Sequence, residues 1–350
     1  MRKENLFWKK YVMLSGLIFA FCASPALSDC ASPISPVDTS SSNNVVGNGT
    51  PDSCNEDAFN QAIAIGGVIT FNCGSSPYSL TLTSTKTITQ DTVIDGGNLV
   101  TLDGGNQVRL LSINTMNFEA SSPTLTVQNI TLANGYGPDN PDPGTPPGGG
   151  AIYRNGGTLN VINSQFINNS GPASGQDAAG GAIYSIGTGT TTIVGSDFEG
   201  NQASNGGALG NLASSLILVN STVKGNQATG HGGNPGNGGN GGGIYIDGNN
   251  LTVNICETHV DNNQGNAYGG GLFLVVDNLN GNTTIDQSSF DGNQTAFAGG
   301  VYLQGTALSL TNTSIVQNQV QQIDGIGPFA TNFFNYQVIL GDLSSDTIDP

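Results

Sequence analysis

A nine-residue window recurs six times without gaps between residues 161 and 318. Each copy contains an apolar anchor residue, and the six anchors are Phe166, Phe198, Val223, Val260, Phe290 and Ile315. Three residues after every anchor there is an Asn, two residues before it a Ser or Thr, and five residues before it an aliphatic residue. Agreement at four positions in six copies indicates one small structural unit that stacks on copies of itself.

The spacing between anchors is 32, 25, 37, 30 and 25 residues, so one side of each unit is fixed while loops elsewhere vary in length. Short strands with alternating apolar positions, turned by Gly and Asn, favour one rung of a coiled β-solenoid. An α-solenoid would need helical periodicity, and a propeller would need repeats long enough for four strands. We expect about ten rungs between residues 80 and 320, about 4.8 Å apart, with Asn side chains hydrogen-bonded from rung to rung.

Two segments lie between residue 28 and these rungs. Residues 29–52 are rich in Ser, Pro and Asn and are expected to form a linker. Residues 53–79 contain a capping box at Ser53 and Glu56, a short amphipathic helix and a strand, and we interpret them as an N-terminal cap. At the other end, residues 321–350 lack the repeat and are interpreted as a C-terminal cap.

The first 28 residues have a basic start, an apolar run and small residues at the expected cleavage site after Ser28. This pattern predicts a secretory signal peptide. The whole sequence has 8 basic and 25 acidic residues. Removing residues 1–28 takes away four Lys or Arg and one Glu, which leaves a net charge of 4 − 24 = −20. Nucleic acid is excluded as a partner because it requires clustered Lys and Arg, and no later apolar stretch reaches membrane-spanning length. We therefore expect an exported protein, secreted or associated with the cell surface.

Four cysteines remain after residue 28. Cys54 and Cys73 flank the predicted cap, and the compartment is oxidising, so we expect a disulfide between them. The pairing of Cys30 and Cys256 stays open, and none of the four has metal-ligand spacing. The glycine-rich stretch after His231 hints at calcium-binding repeats, but it lacks an Asp at each turn. A loop is the better interpretation, and we predict no metal or other cofactor.

Two further motifs resemble a known family. GGAI-like stretches begin at Gly149, Gly180, Gly206, Gly241 and Gly269. FxxN follows at Phe166–Asn169, Phe198–Asn201 and Phe290–Asn293. This pair resembles the repeats of the chlamydial polymorphic outer membrane proteins. More broadly, the cap and TVIDGGNLVTLDGG resemble bacterial exported proteins of the pectin-lyase-like superfamily. The resemblance implies a right-handed parallel β-helix, a fold that hosts adhesins, lyases and hydrolases.

Catalytic residues are not predicted. Gly230-His231-Gly232 matches a triplet of polygalacturonases, but the companion motifs are absent and His231 is interpreted as a loop residue. A pectate-lyase-like reaction needs an Arg beside a calcium site formed by carboxylates. The basic residues after the signal are Lys86, Arg109, Arg154 and Lys224, and no acidic cluster recurs at matched positions. Scattered acids could pair as in a glycosidase, although solvated surface charge is the simpler interpretation: Asp247, Asp277 and Glu257.

Aromatic residues recur in the strand after each GG. Period-2 alternation directs the aliphatic residues inward and the aromatic ones outward, for example in Ile244-Tyr245-Ile246. The predicted stripe, broken at Gly210, consists of Tyr153, Tyr184, Tyr245, Phe273 and Tyr302. Exposed rings along a rod would bind a sugar or a protein partner, whereas mutual shielding of stacked rings is the alternative.

These observations predict an exported, non-enzymatic β-helix protein with a lateral binding surface, similar to an adhesin. Its expected ligand is a polysaccharide or a cell-surface protein. The alternative is a polysaccharide-active enzyme, a pectate-lyase-like lyase or a glycosidase, on the same fold.

Overall fold

The computed structural model describes residues 30–138 and 146–320 and the backbone of residues 337–340. In these residues the chain coils into a right-handed parallel β-helix with three long sheets. The predicted fold class is confirmed. The predicted signal peptide, residues 1–28, and most of the predicted C-terminal cap, residues 321–350, lie outside the described residues.

Each sheet takes one short strand from successive rungs. Sheet 1 has ten parallel strands: Asn44–Val46, Gly67–Phe71, Thr92–Asp95, Thr124–Gln128, Thr158–Ile162, Thr190–Val194, Ser215–Val219, Thr252–Cys256, Gly281–Asp286 and Thr306–Thr311. Sheet 2 has nine strands, the last of them antiparallel: Lys86–Thr87, Leu111–Asn114, Ile152–Asn155, Ile183–Ile186, Leu209–Leu212, Ile244–Gly248, Leu272–Val276, Val301–Gln304 and Gln337–Leu340. Sheet 3 has nine parallel strands: Tyr78–Thr81, Val100–Asp103, Thr131–Ala133, Gln165–Ile167, Asp197–Glu199, Thr222–Lys224, His259–Asp261, Ser289–Asp291 and Ser314–Val316.

Two separate two-stranded sheets are formed by residues that follow sheet 3 strands in the chain. They are Gln202–Ala203 with Gln227–Ala228, and Gln294–Thr295 with Gln319–Val320. A complete rung runs from sheet 2 through sheet 1 to sheet 3. The aliphatic and anchor residues of successive rungs pair in register, as in Phe166 with Phe198, whose rings stack 4.6 Å apart. One continuous apolar core therefore fills the rod.

The predicted Asn ladder is confirmed, and five of its six residues are buried, while Asn318 at its end is half-buried. It comprises Asn169, Asn201, Asn226, Asn263, Asn293 and Asn318. Asn226 Oδ1 accepts hydrogen bonds from the backbone N–H and side-chain amide of Asn201, both at 2.9 Å. Its own amide nitrogen donates to the carbonyl of Phe198 and to Asn263 Oδ1. Because the carbonyl oxygen and the nitrogen of each side-chain amide are hydrogen-bonded, the column can be buried from Asn169 to Asn293.

The cap contains one α-helix, Glu56–Ile65, after a short 3-10 helix at Pro51–Ser53. The predicted capping box is wrong at both positions. Asn55 is the N-cap and accepts from the Ala58 N–H at 3.0 Å, while Ser53 Oγ donates to the Thr50 carbonyl. The Glu56 carboxylate instead forms an ion pair with Lys86 and accepts from Thr83. The 3-10 turn keeps Ser53 out of the helix, so its hydroxyl cannot reach the first helical N–H groups.

Both cysteine pairs form disulfides. Cys54–Cys73 ties the cap together as predicted. Cys30–Cys256 joins residues separated by 226 positions. Two disulfides fit an exported protein, because such bonds persist in oxidising compartments.

Residues 30–39, here called the strap, lie along the outside of sheet 1 and run opposite to the direction in which the rungs advance. Val37 forms two backbone hydrogen bonds with the Gln128 amide, and Thr39 donates to Asp95 at 2.8 Å. The strap contacts one register column of sheet 1 at Asp95, Gln128, Val194, Val219 and Cys256, and Ile162 completes that column. The stretch expected to be a linker is thus bound to the rod from Cys30 onward.

Candidate functional site

The aromatic residues of sheet 2 form one column, as the alternation predicts. Tyr153 pairs with Tyr184, Tyr184 with Gly210, and Gly210 with Tyr245. The column continues through Phe273 to Tyr302. Their side chains point away from the main core and belong to a second apolar cluster on the outer side of the sheet.

The expected exposure of this column is wrong. The five rings, in Tyr153, Tyr184, Tyr245, Phe273 and Tyr302, are each at most 2 % exposed. Loop residues cover them, including Ala179, Ala267, Tyr268 and Ala298. The rings of Tyr245, Phe273 and Tyr302 stack at 5.3 and 5.2 Å with nearly parallel planes. The mutual shielding that was the alternative interpretation describes these residues better than a free binding stripe.

Gly210 interrupts the column because the covering loop comes closest there. A Cβ at this position would lie 2.6 Å from the Ala179 Cβ and 2.7 Å from the Gly180 nitrogen. A ring has no room at this rung. The variable repeat length was the feature of the sequence that indicated these covering loops. The extra residues come directly before each GG and therefore lie beside the aromatic strand.

Three of the four basic side chains have structural contacts. Lys86 forms the ion pair with Glu56. Arg109 donates to the carbonyls of Gly148 and Gly149, and its guanidinium lies 4.6 Å from the centre of the Tyr153 ring.

Arg154 lies inside the rod and is fully buried. It donates to the Gly157 carbonyl and to Ser214 Oγ, and burial lowers its pKa to about 10. Neither arginine can therefore reach a polysaccharide, as a lyase base would have to do. Lys224 is exposed.

Asp247 and Asp277 are brought together at the outer edge of sheet 2. Asp247 Oδ2 accepts from the Tyr245 hydroxyl at 2.9 Å and from the Asn234 amide at 2.7 Å. Burial raises the pKa of Asp247, and the charges of Asp277 and Asp177 raise it further. The third acid of the predicted set, Glu257, lies elsewhere, at a corner of the rod after sheet 1 with a positive φ of 47°.

The loop that includes Asn234 also contains His231. This residue is exposed and pairs with Asn237 through backbone hydrogen bonds in both directions. Its position agrees with the interpretation as a loop residue.

A shallow groove of about 140 Å³ lies on the outer face of sheet 3. Its lining includes Gln165, Asp197, Glu199, Thr222 and Lys224. Side chains at these positions point to solvent because Phe166, Phe198 and Val223, which alternate with them, fill the core. The sequence pattern did not predict this face, because the polar residues beside the anchors differ from rung to rung.

The same face continues towards the later rungs. His259 Nδ1 lies 2.8 Å from Ser289 Oγ, and Ser289 Oγ lies 3.4 Å from Asp261 Oδ1. Burial raises the pKa of Asp261, against the lowering effect of His259. We call the solvent-facing residues of sheet 3 from Gln165 to Asp291 the sheet 3 face. Its carboxylates are Asp197, Glu199, Asp261 and Asp291, and its cationic side chain is Lys224.

Among the described residues, one group of metal-ligating side chains converges within 4.8 Å, namely Cys30, Cys256 and Asp286. Both sulfurs belong to the disulfide, so they are not available as thiolate ligands. No helix in the described part of the chain is long and apolar enough to cross a membrane. Comparison with family models, curated proteins and solved structures found no match to this chain.

Proposed function

We propose that this is an exported, adhesin-like binding protein that contacts its partner through the sheet 3 face. The resemblance of the GGAI and FxxN motifs to the repeats of polymorphic outer membrane proteins supports this role, as does the predicted signal peptide. The observation that carries the proposal is the groove lined by solvent-facing acidic, amide and hydroxyl groups. Such groups stay hydrated in the free protein and can hydrogen-bond to a partner.

The charges of the sheet 3 face favour a positively charged partner. Glu199 and Asp261 lie on the strands beside Lys224, in register with it, yet Lys224 forms no ion pair among the described residues. Carboxylates therefore outnumber the available cations on a chain whose net charge is already −17. A partner with exposed Lys and Arg side chains, such as a basic patch on a cell-surface protein, complements this field.

The test is a pair of charge-reversal variants with the same change in net charge. Asp197→Lys with Glu199→Lys alters the groove, and Glu119→Lys with Asp57→Lys alters exposed positions elsewhere. We expect the wild-type protein to bind Lys- and Arg-rich peptides on an array, and the groove variant to bind them at least tenfold more weakly. Equal losses in both variants, or no binding by the wild type, would overturn the proposal.

Asp247 supports a second candidate, a glycosidase. A carboxyl group whose pKa is raised by burial, beside a second exposed carboxylate, is the arrangement used for acid catalysis on glycosidic bonds. In this scheme Asp247 donates a proton to the leaving oxygen, and Asp277 acts as nucleophile or base.

Hydrolysis of a panel of neutral oligosaccharides by the mature protein tests this candidate. Asp247→Asn and Asp277→Asn should each abolish turnover, while Asp291→Asn on sheet 3 should leave it unchanged. Activity that survives the first two substitutions would exclude these residues as the catalytic pair.

A further inference from the structure

The outer face of sheet 1 carries two straight rows of small, uncharged side chains. Row A consists of Thr124, Thr158, Thr190, Ser215, Thr252, Asn282 and Ala307. Row B consists of Thr126, Asn160, Thr192, Ile217, Asn254, Thr284 and Ser309. Seven of these fourteen residues are Thr and none is charged. In a protein with 25 acidic residues, an uncharged face seven rungs long is a distinct surface.

The rows are regular because the pairing is parallel and in register at every rung. Adjacent strands place equivalent residues about 4.8 Å apart along the rod, and residues two positions apart on one strand lie about 6.6 Å apart across it. The residues between the rows, such as Leu159 and Leu216, point into the core and hold each strand in place. The face is therefore a rigid two-dimensional array of hydroxyl, amide and methyl groups.

The hydroxyls of row B are free to bind something outside the protein. Thr126 and Thr192 are only 5 % and 8 % exposed. Their hydroxyls, and that of Thr284, form no hydrogen bond with any residue in the described ranges. A nearly buried hydroxyl that opens onto a face without a protein partner must be satisfied from that face.

We propose that this face of sheet 1 binds ice. A single Thr hydroxyl or methyl contact is worth little, so such contacts produce affinity only when many form at once. A flexible partner would lose conformational freedom for each contact, whereas a crystal lattice is already ordered. Hexagonal ice presents oxygen atoms at repeats close to the rung step and to the distance between rows. It is also uncharged, like the face.

The proposal is independent of the sheet 3 face, which lies on another side of the rod. The strap bounds the ice-binding face on one side, along the column next to row B, and Ile217 of row B packs against it. Beyond Cys256 the strap ends, and row B continues through Asn254, Thr284 and Ser309. The later rungs are therefore the widest part of the face, and they are the place to disrupt it.

The test measures the effect of the mature protein on ice. We expect it to slow recrystallisation in a frozen sucrose solution and to produce a gap between melting and freezing temperatures. The variant with Thr252→Lys and Thr284→Lys places two long cations on the two rows. It should need at least a tenfold higher concentration for the same inhibition.

The matched control carries Thr81→Lys and Thr131→Lys on sheet 3, outside the sheet 3 face, and should affect ice like the wild type. Thermal melting of each variant establishes that it is folded. A wild-type protein that affects ice no more than serum albumin does would overturn the proposal, and so would equal losses in both variants. Suspended cellulose provides a second arm: binding to it through Thr252 and Thr284, without any effect on ice, would assign the face to a neutral polysaccharide instead.

Discussion

At the scale of single residues, the Asn ladder determines which substitutions the rod tolerates. Asn226 is buried and joins three rungs through its amide, so its loss leaves donors on Asn201 and an acceptor on Phe198 without partners. Asn226→Ala should lower the free energy of unfolding by about 2–4 kcal/mol, the cost of burying unsatisfied polar groups. Denaturant titration measures this. Thr252→Ala, at an exposed position of sheet 1, should change it by about 0.5 kcal/mol or less.

The ion pair between the cap and the first rungs should be visible in the pH dependence of stability. Burial raises the pKa of Glu56, but the hydrogen bonds from Lys86 and Thr83 outweigh it and lower the pKa from 4.5 to about 2. A lowered folded-state pKa stabilises the protein above the unfolded value and loses that effect as the pH falls. The stability difference between wild type and Glu56→Gln should therefore be constant above pH 5 or so and shrink towards pH 2. A difference that grows on acidification would contradict this assignment.

At the scale of elements, the aromatic column holds the covering loops onto sheet 2. Phe273 stacks between Tyr245 and Tyr302 and contacts the loop residue Tyr268. Phe273→Ala should cost about 3–5 kcal/mol, because it leaves a cavity in a buried cluster. It should also speed amide hydrogen exchange in the loops beside it. Phe118→Ala removes a ring that is 53 % exposed and should change neither quantity appreciably.

The repeating elements could be predicted from the sequence, while the elements that cover them could not. Asn226 and Phe166 each belong to a column in which neighbouring rungs require the same side chain, so the pattern recurs and is visible. The loop over Tyr184 occurs once, with its own length and contacts, and leaves no period to detect. Outward orientation was correctly predicted for Tyr184, but exposure also depends on that loop. The groove on sheet 3 was missed for a similar reason, since its polar residues differ from rung to rung.

At the scale of the whole molecule, the two disulfides should contribute unequally. The bond Cys30–Cys256 closes a loop of 226 residues, and Cys54–Cys73 closes one of 19. On the chain-entropy estimate the first is worth roughly 5 kcal/mol and the second roughly 3 kcal/mol. Replacing each pair by Ala and comparing unfolding in guanidinium checks this order. The reverse order would mean that packing of Cys54 in the cap core outweighs loop closure.

The disulfide that anchors the strap can form only after the rungs beneath the strap have assembled. Cys30 precedes the rod in the chain, and its partner Cys256 is synthesised 226 residues later. The strap can lie in place only after Asp95, Gln128 and Val219 have stacked into one column. The presence of the Cys30–Cys256 disulfide therefore indicates that six successive strands of sheet 1, from Asp95 to Cys256, are assembled in register. A chain with a slipped rung should therefore carry two free thiols at Cys30 and Cys256, which a thiol-reactive label would detect.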